Sequence, residues 1–235
     1  MRVLTTVTSV LLAFLIVLAA FFTVYYDQGA NSVYDARANS WNAQEQEEVS
    51  AILAFLDGKQ ADLTFLSADE ARHMDDVRDV FETFRTIAII VSVIVVAVLL
   101  VLVIVPFIVG KCKTKKNEKK KNDVQRDVKN DVKRNYYEKF RDVLATVSRT
   151  SGIIVLIACV LLALSTLFSF DSFWTAFHLV LFPQGNWMFP LGSTLIALFP
   201  ETFFQHFAQQ VLLAAASYGI VALAASSVLK RKPAT

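Results

Sequence analysis

The stretch Thr86–Val109 reads TIAIIVSVIVVAVLLVLVIVPFIV and lies between Arg85 and Gly110-Lys111. It contains no charge. At about 1.5 Å of rise per residue, a helix of this length crosses a hydrocarbon layer of roughly 30 Å. Three further runs share the property: Val3 to Tyr26, Gly152 to Phe170 and Phe207 to Leu229, each limited by residues such as Asp27, Asp171 and Lys230. Only helices and closed barrels satisfy their own backbone in lipid, and uninterrupted apolar runs specify helices. Composition agrees. Of 235 residues 55% are hydrophobic and 19% charged, with mean hydropathy +0.48, too apolar for a water-soluble domain of this size. Seven Gly and five Pro exclude collagenous or low-complexity chains, and 19 Phe exclude disorder. The fold class read from the sequence is an all-α polytopic membrane protein with four transmembrane helices and two helical extracytoplasmic loops forming a small outer domain.

Charge orients it. The net charge of +2 conceals +8 over residues 111–149 (14 Lys/Arg, 6 Asp/Glu) and −9 over residues 26–84 (4 Lys/Arg, 13 Asp/Glu). With four crossings, Arg2, the basic stretch Lys111 to Arg149, and Lys230, Arg231 and Lys232 fall on one side, which the positive-inside rule makes cytoplasmic. The expected plan is spans at 3–26, 86–109, 152–170 and 207–229, outer loops at 27–85 and 171–206, a basic cytoplasmic loop at 110–151 and a cytoplasmic tail at 230–235. The first run is longer than the apolar core of a signal peptide and ends in bulky Val24, Tyr25 and Tyr26, so it is read as a retained span. The Asp-Val repeat at Asp123, Asp127, Asp131 and Asp142 is spaced for an exposed helix carrying both signs of charge. Such a stretch serves as a topology signal, or as a docking surface for anionic lipid. Cys112 and Cys159 lie in different compartments and are not expected to pair.

Chemistry is expected outside. In the first outer loop Val49, Ile52, Leu53, Phe55 and Leu56 repeat at helical spacing up to Asp57-Gly58. A second helix starts after Ser67, with Glu70 completing a capping box. Glu70, His73 and Asp76 share one face of it, with Met74, Val77, Val80, Phe81 and Phe84 on an opposite, buried face. The second outer loop, Asp171 to Gln205, holds nine aromatic residues and two charges, Asp171 and Glu201, so it lies on the membrane interface. Phe173 to Phe182 reads as a short helix stopped by Pro183 and the Gln184-Gly185-Asn186 turn, and Ser193 to Leu198 as another. His178 sits in its most apolar part, where an imidazole must find a partner or a task. All three histidines, His73, His178 and His206, fall on the outer side; His206 is most simply an interface residue.

Several chemistries find no support. Glu70-x-x-His73 is half of a di-iron carboxylate signature whose other half is missing. A zinc site from His73, His178 and Asp76 has no His-Glu-x-x-His motif behind it, and no metal or other cofactor is expected. There is no Gly-x-Ser-x-Gly elbow, no phosphate-binding glycine loop and no nucleic-acid-binding fold. What stands is a His-carboxylate face over an aromatic bed, suited to acid/base chemistry on a lipid ester, where a neutral imidazole accepts a proton from an attacking amine or alcohol. Two other readings stay open: a membrane protein that binds lipid or lipoprotein without altering it, and a zinc-dependent lipid hydrolase.

Two groups of residues resemble the lipoprotein intramolecular transacylases, Lit, of Gram-positive bacteria. One is Phe55-Leu56-Asp57-Gly58 followed by Glu70-Ala-Arg-His73-Met-Asp-Asp76-Val77. The other is Phe177-His178 with Phe182, Trp187, Leu195-Ile196, Pro200-Glu201 and Phe203-Phe204. The resemblance implies an enzyme that moves the sn-2 acyl chain of a diacylglyceryl-modified lipoprotein onto the α-amino group of its N-terminal cysteine, giving the lyso-form. It places the family's two essential histidines at His73 and His178. On that basis His178 is the general base and His73 the oxyanion stabiliser, with Glu70 or Asp76 in support, and the order of the two roles is open. The resemblance also implies that Phe177, Phe182, Trp187 and Glu201 face the substrate at the interface. The expected partners are the lipoprotein and membrane lipid, with no nucleic acid; nothing in the sequence reports an oligomeric state. Two features depart from the family pattern: a longer, more basic cytoplasmic loop, and Ser193 where an acidic residue is usual.

Overall fold

A computed structural model describes residues 2–27, 34, 40–59, 62–116 and 122–231; between 103 and 136, side chains are described only at 104 and 134. Among the described residues there are seven helices and no strand. They are α1 (Arg2–Tyr26), α2 (Ala43–Leu56), α3 (Ala68–Lys116), α4 (Asn122–Phe168), α5 (Phe170–Leu181), α6 (Thr194–Leu198) and α7 (Glu201–Lys230). Four of them are long and apolar enough to cross a membrane: α1, α3 over Ala68–Leu102, α4 over Tyr137–Phe168, and α7. Their outer surfaces carry Ile89, Val93, Leu161 and Val221, each more than half exposed, a surface made for lipid rather than water.

The helix ends follow from local chemistry. Asn42 caps α2 by accepting from Glu45 N at 3.0 Å while its own backbone N–H donates to Glu45 Oε2 at 2.8 Å, and Gly58 takes φ +71° after the C-cap Asp57. α3 starts as the Ser67/Glu70 capping box requires and runs on without a break, because no Gly or Pro interrupts the chain between Ala68 and the apolar run. The same continuity makes α4 longer than the sequence plan. It begins at Asn122, so most of the expected loop 110–151 is helical up to the third span. The helix ends at Phe168 because Ser169 turns extended (φ −165°, ψ 102°) and accepts from Ser172 N to cap α5.

The chain divides into two compact units. Met1–Ile16, Ile89–Ile157 and Ser217–Thr235 form the first, packed through small residues. Thr8, Ser9 and Ser151 are buried and return their hydroxyls to Leu4 O, Thr5 O and Val147 O at 2.8–2.9 Å, so none is left unsatisfied in an apolar setting. Gly152 on α4 faces Gly219 on α7, and a Cβ at Gly152 would stand 2.7 Å from Gly219 O. Cys159, in the second unit, is a free buried thiol whose sulfur lies 3.8 Å from Leu212 O; Cys112 lies outside the described side chains.

Val17–Ala88 and Ala158–Ala216 form the second unit, around a core that includes Trp41, Ile52, Phe55, Met74, Leu198 and Phe203. Polar ties between distant residues help bind it. The Trp41 indole donates to Leu198 O at 3.1 Å across 157 residues of sequence. Arg85 donates to Asp57 Oδ1 at 2.7 Å, to Tyr26 OH at 2.9 Å and to Leu56 O at 3.2 Å, which ties α3 to the ends of α1 and α2.

Gly152→Ala is expected to lower stability by about 1–3 kcal/mol, because the clash is with backbone that cannot rotate away. Thermal unfolding in detergent micelles measures it, and an unchanged midpoint would mean that α4 and α7 do not pack this closely.

Candidate active site

The site grows from the start of α3. Glu70, the third residue of that helix, is only 3% exposed. Its Oε2 accepts from Ser67 N at 3.0 Å and from Ser67 Oγ at 2.7 Å, and its Oε1 accepts from Leu195 N at 2.9 Å. One carboxylate thus caps its own helix and the first turn of α6, 125 residues away. Ser193, the N-cap of α6, makes no side-chain cap bond, so the anion that this helix end favours comes from α3. Burial alone would raise the Glu70 pKa, but the N–H and O–H donors around it win and hold it below the ordinary carboxylate value.

This tie changes the surroundings of the His-carboxylate face. The sequence pattern put a buried apolar face opposite to it, yet Glu70 and His73 are themselves buried alongside Met74, while Val77, Val80, Phe81 and Phe84 are only partly so. α5 and the chain that follows it cover the face that helical periodicity alone would leave open.

His73 and His178 meet under this cover. They are 8% and 5% exposed, with ring centroids 6.3 Å apart and planes inclined by 27°. Phe182 lies 4.9 Å from the His73 ring and 5.6 Å from that of His178, and Phe189 lies 5.5 Å from His73. Around His178 stand Trp174 at 4.2 Å, Trp187 at 4.6 Å and Phe177 at 5.4 Å. The histidines therefore occupy an aromatic enclosure with little access for solvent.

Their protonation follows from it. His73 is lowered from the ordinary value near 6.5 to about 4, chiefly by burial and secondly by the neighbouring His178, with Asp76 offsetting part of the fall. Burial also lowers His178, against the hydrogen bond to Trp174 O. Both rings are neutral at pH 7. His178 Nδ1 stands 2.9 Å from Trp174 O, and a carbonyl oxygen only accepts, so Nδ1 carries the hydrogen and Nε2 keeps the lone pair. His73 Nδ1 is buried without a hydrogen-bond partner among the described residues.

The other expected site residues divide. Asp76 Oδ2 accepts from Gln184 Nε2 at 2.9 Å and from Asn186 Nδ2, so it holds the turn after α5 and acts on His73 through its charge. Phe182 is 4% exposed and lies between the histidines rather than at the surface; Phe177, 40% exposed, and Trp187 border His178. Glu201 is exposed in the first turn of α7 and accepts from Gln205 Nε2 at 2.7 Å; no hydrogen bond or ion pair among the described residues joins it to either histidine. His206 is exposed on the same helix. Trp174, Gln184, Asn186 and Phe189 also border the site, a role that neither the turn at Gln184 to Asn186 nor the aromatic pattern of the sequence assigned to them. Among the described residues no three His, Cys, Asp or Glu side chains gather as metal ligands.

The lowered His73 pKa fixes a pH dependence. The unfolded chain binds a proton at His73 below about pH 6.5, whereas the folded protein resists it until about pH 4. Stability from this group is complete above pH 6.5 and is lost as pH falls toward 4. Thermal midpoints of wild type and His73→Asn between pH 7 and pH 4 test this: the variant should lose stability less steeply, and parallel curves would contradict the burial argument.

A model of the family described as lipoprotein intramolecular transacylase Lit matches residues 1–204. Among solved structures, the in meso structure of the membrane-integral lipoprotein intramolecular transacylase Lit from Bacillus cereus is similar, with TM-score 0.69 and 19% identity over 97% of this chain and 94% of that one. Structures of that protein with a histidine-to-arginine and a histidine-to-alanine mutation give TM-scores of 0.63 at 20% identity, over 97% of this chain and 91% and 92% of theirs. At this identity the likeness is one of fold. No curated protein matches by sequence. A family model that covers residues 1–204 of 235 is decisive: the chain belongs to the lipoprotein intramolecular transacylase family, Lit.

Proposed function

We propose that this membrane-integral protein moves the sn-2 acyl chain of a diacylglyceryl-modified lipoprotein onto the α-amino group of the lipoprotein's N-terminal cysteine. The observation that carries the reading is the pair of buried, neutral histidines, one with its Nε2 lone pair fixed by a backbone carbonyl, inside an aromatic enclosure.

The chemistry follows from these groups. The substrate amine, with pKa near 8, is partly neutral at pH 7. Its nitrogen attacks the carbonyl carbon of the sn-2 ester while His178 Nε2 takes the amine proton. The neutral His73 ring donates to the oxyanion of the tetrahedral intermediate. On collapse the bond between the acyl carbon and the glyceryl oxygen breaks, and His178 returns its proton to that oxygen. An amide and a free sn-2 hydroxyl remain, which is the lyso-form. Low water around the rings strengthens these hydrogen bonds and favours the amine over hydrolysis. Phe177, Phe182 and Trp187 offer the acyl chain an apolar bed, and Glu70 and Asp76 position the elements that bear the histidines.

Charge supports the topology. Arg2, the basic segment 111–149 and Lys230 to Lys232 belong in the cytoplasm, which puts both termini there and the histidines at the outer face of the cell membrane.

Mass spectrometry of a reporter lipoprotein's N-terminal peptide tests the reading. Cells expressing the protein should convert it from diacylglyceryl with a free amine to the N-acyl, lyso-glyceryl form. An unchanged acylation pattern would contradict it. His178→Ala should slow conversion about 10²–10⁴-fold, the range for a lost general base.

A further inference from the structure

The neutral His73 ring offers one N–H to the oxyanion, and His178 Nε2 carries none. Oxyanion sites in acyl transfer usually combine more than one donor. The second unit contains a donor that the fold leaves unused. Trp187 Nε1 is buried and has no hydrogen-bond partner among the described residues, and an indole nitrogen can only donate. Trp41 shows what the same fold does with an indole whose role is packing: its Nε1 donates to Leu198 O at 3.1 Å. An N–H desolvated without a partner is a cost that a purely structural residue gives no reason to keep.

Its location gives the reason. The Trp187 ring lies 4.6 Å from that of His178, inclined by 32°. It is held there through its neighbour: Asn186 Nδ2 and Gln184 Nε2 both donate to Asp76 Oδ2, three residues beyond His73 on α3. Because a carboxylate only accepts, the Asn186 amide must turn its nitrogen to Asp76, which fixes the turn that presents the indole. Asp76 thus sets the position of the donor with respect to both imidazoles.

Resting on the transacylase reading, we propose that the Trp187 indole N–H is the second oxyanion donor, hydrogen-bonding the ester carbonyl oxygen as it gains charge in the tetrahedral intermediate. The bond forms as the amine nitrogen attacks and dissolves when the glyceryl oxygen leaves; Trp187 exchanges no proton. Asn186, Gln184 and Asp76 are positioning residues for it.

Purified protein in mixed micelles with a synthetic diacylglyceryl lipopeptide provides the test, with kcat and KM measured separately. Trp187→Phe keeps a ring for packing and removes the donor. It should reduce kcat about 10²–10³-fold, the effect of removing one oxyanion donor, with KM changed by no more than a few fold. Its thermal midpoint should equal or exceed wild type, since an unpaired donor is lost; a packing role would lower the midpoint instead. Replacement of the indole at 187 by benzothiophene, which puts sulfur in place of N–H, should reproduce the kcat loss without a change of shape. Full kcat in either variant, with wild type active, would overturn the role of Trp187 alone. A wild-type protein that leaves the lipopeptide unchanged would overturn the transacylase reading beneath it.

Discussion

The Glu70 carboxylate, almost fully buried, holds the site together. It accepts from Ser67 on its own helix and from Leu195 on α6, so the segment before the second span and the segment after the third cannot separate without stranding a charge in an apolar interior. The Trp41 indole adds a second tie to the same short helix at Leu198 O. With α6 fixed, the chain between α5 and α6 closes over the face of α3 that carries His73. The Asp76 bonds to Gln184 and Asn186 set the angle of that closure. Three polar ties, each between residues more than 100 positions apart, therefore do what apolar packing alone would leave loosely specified.

The enclosure then determines the chemistry. Burial among Phe and Trp rings disfavours a second proton on either imidazole at neutral pH, and a carbonyl on α5 decides which nitrogen of His178 stays bare. That is a state ready to accept a proton from an amine. The same rings that lower the histidine pKa values also present an apolar surface continuous with what a lipid acyl chain prefers. Proton affinity, exclusion of water and substrate affinity thus share one cause. At a membrane interface that cause is inexpensive to supply, because aromatic residues settle there on their own account.

The spans and the histidine pair were legible in the sequence because they depend on local pattern: uncharged apolar runs, the capping box at Ser67 and Glu70, and histidines on one side of the charge plan. Long-range contacts leave no such local pattern. Helical periodicity gave Glu70 and His73 an open face, because period alone does not register a cover that arrives from residues 170 to 199. Glu70 looked like support for His73 on spacing, and its bonds run instead to Ser67 and Leu195. The Gln184-Gly185-Asn186 turn was visible as a turn, but its amides gain their meaning only beside Asp76. The charged segment after Lys111 gave an expected orientation through its net charge, while its continuity as helix into the third span depended on the absence of any breaker between Asn122 and Ser151.

The protonation state of His178 is the most direct point at which to probe this chemistry. Nitrogen-15 NMR of histidine-labelled protein in micelles at pH 7.5, assigned with His73→Asn and His178→Asn variants, reads each ring nitrogen separately. The expected result is a neutral His178 with a protonated, pyrrole-type Nδ1 and a bare, pyridine-type Nε2, beside a neutral His73. An imidazolium signal at His178, or a hydrogen on Nε2 with Nδ1 bare, would contradict it.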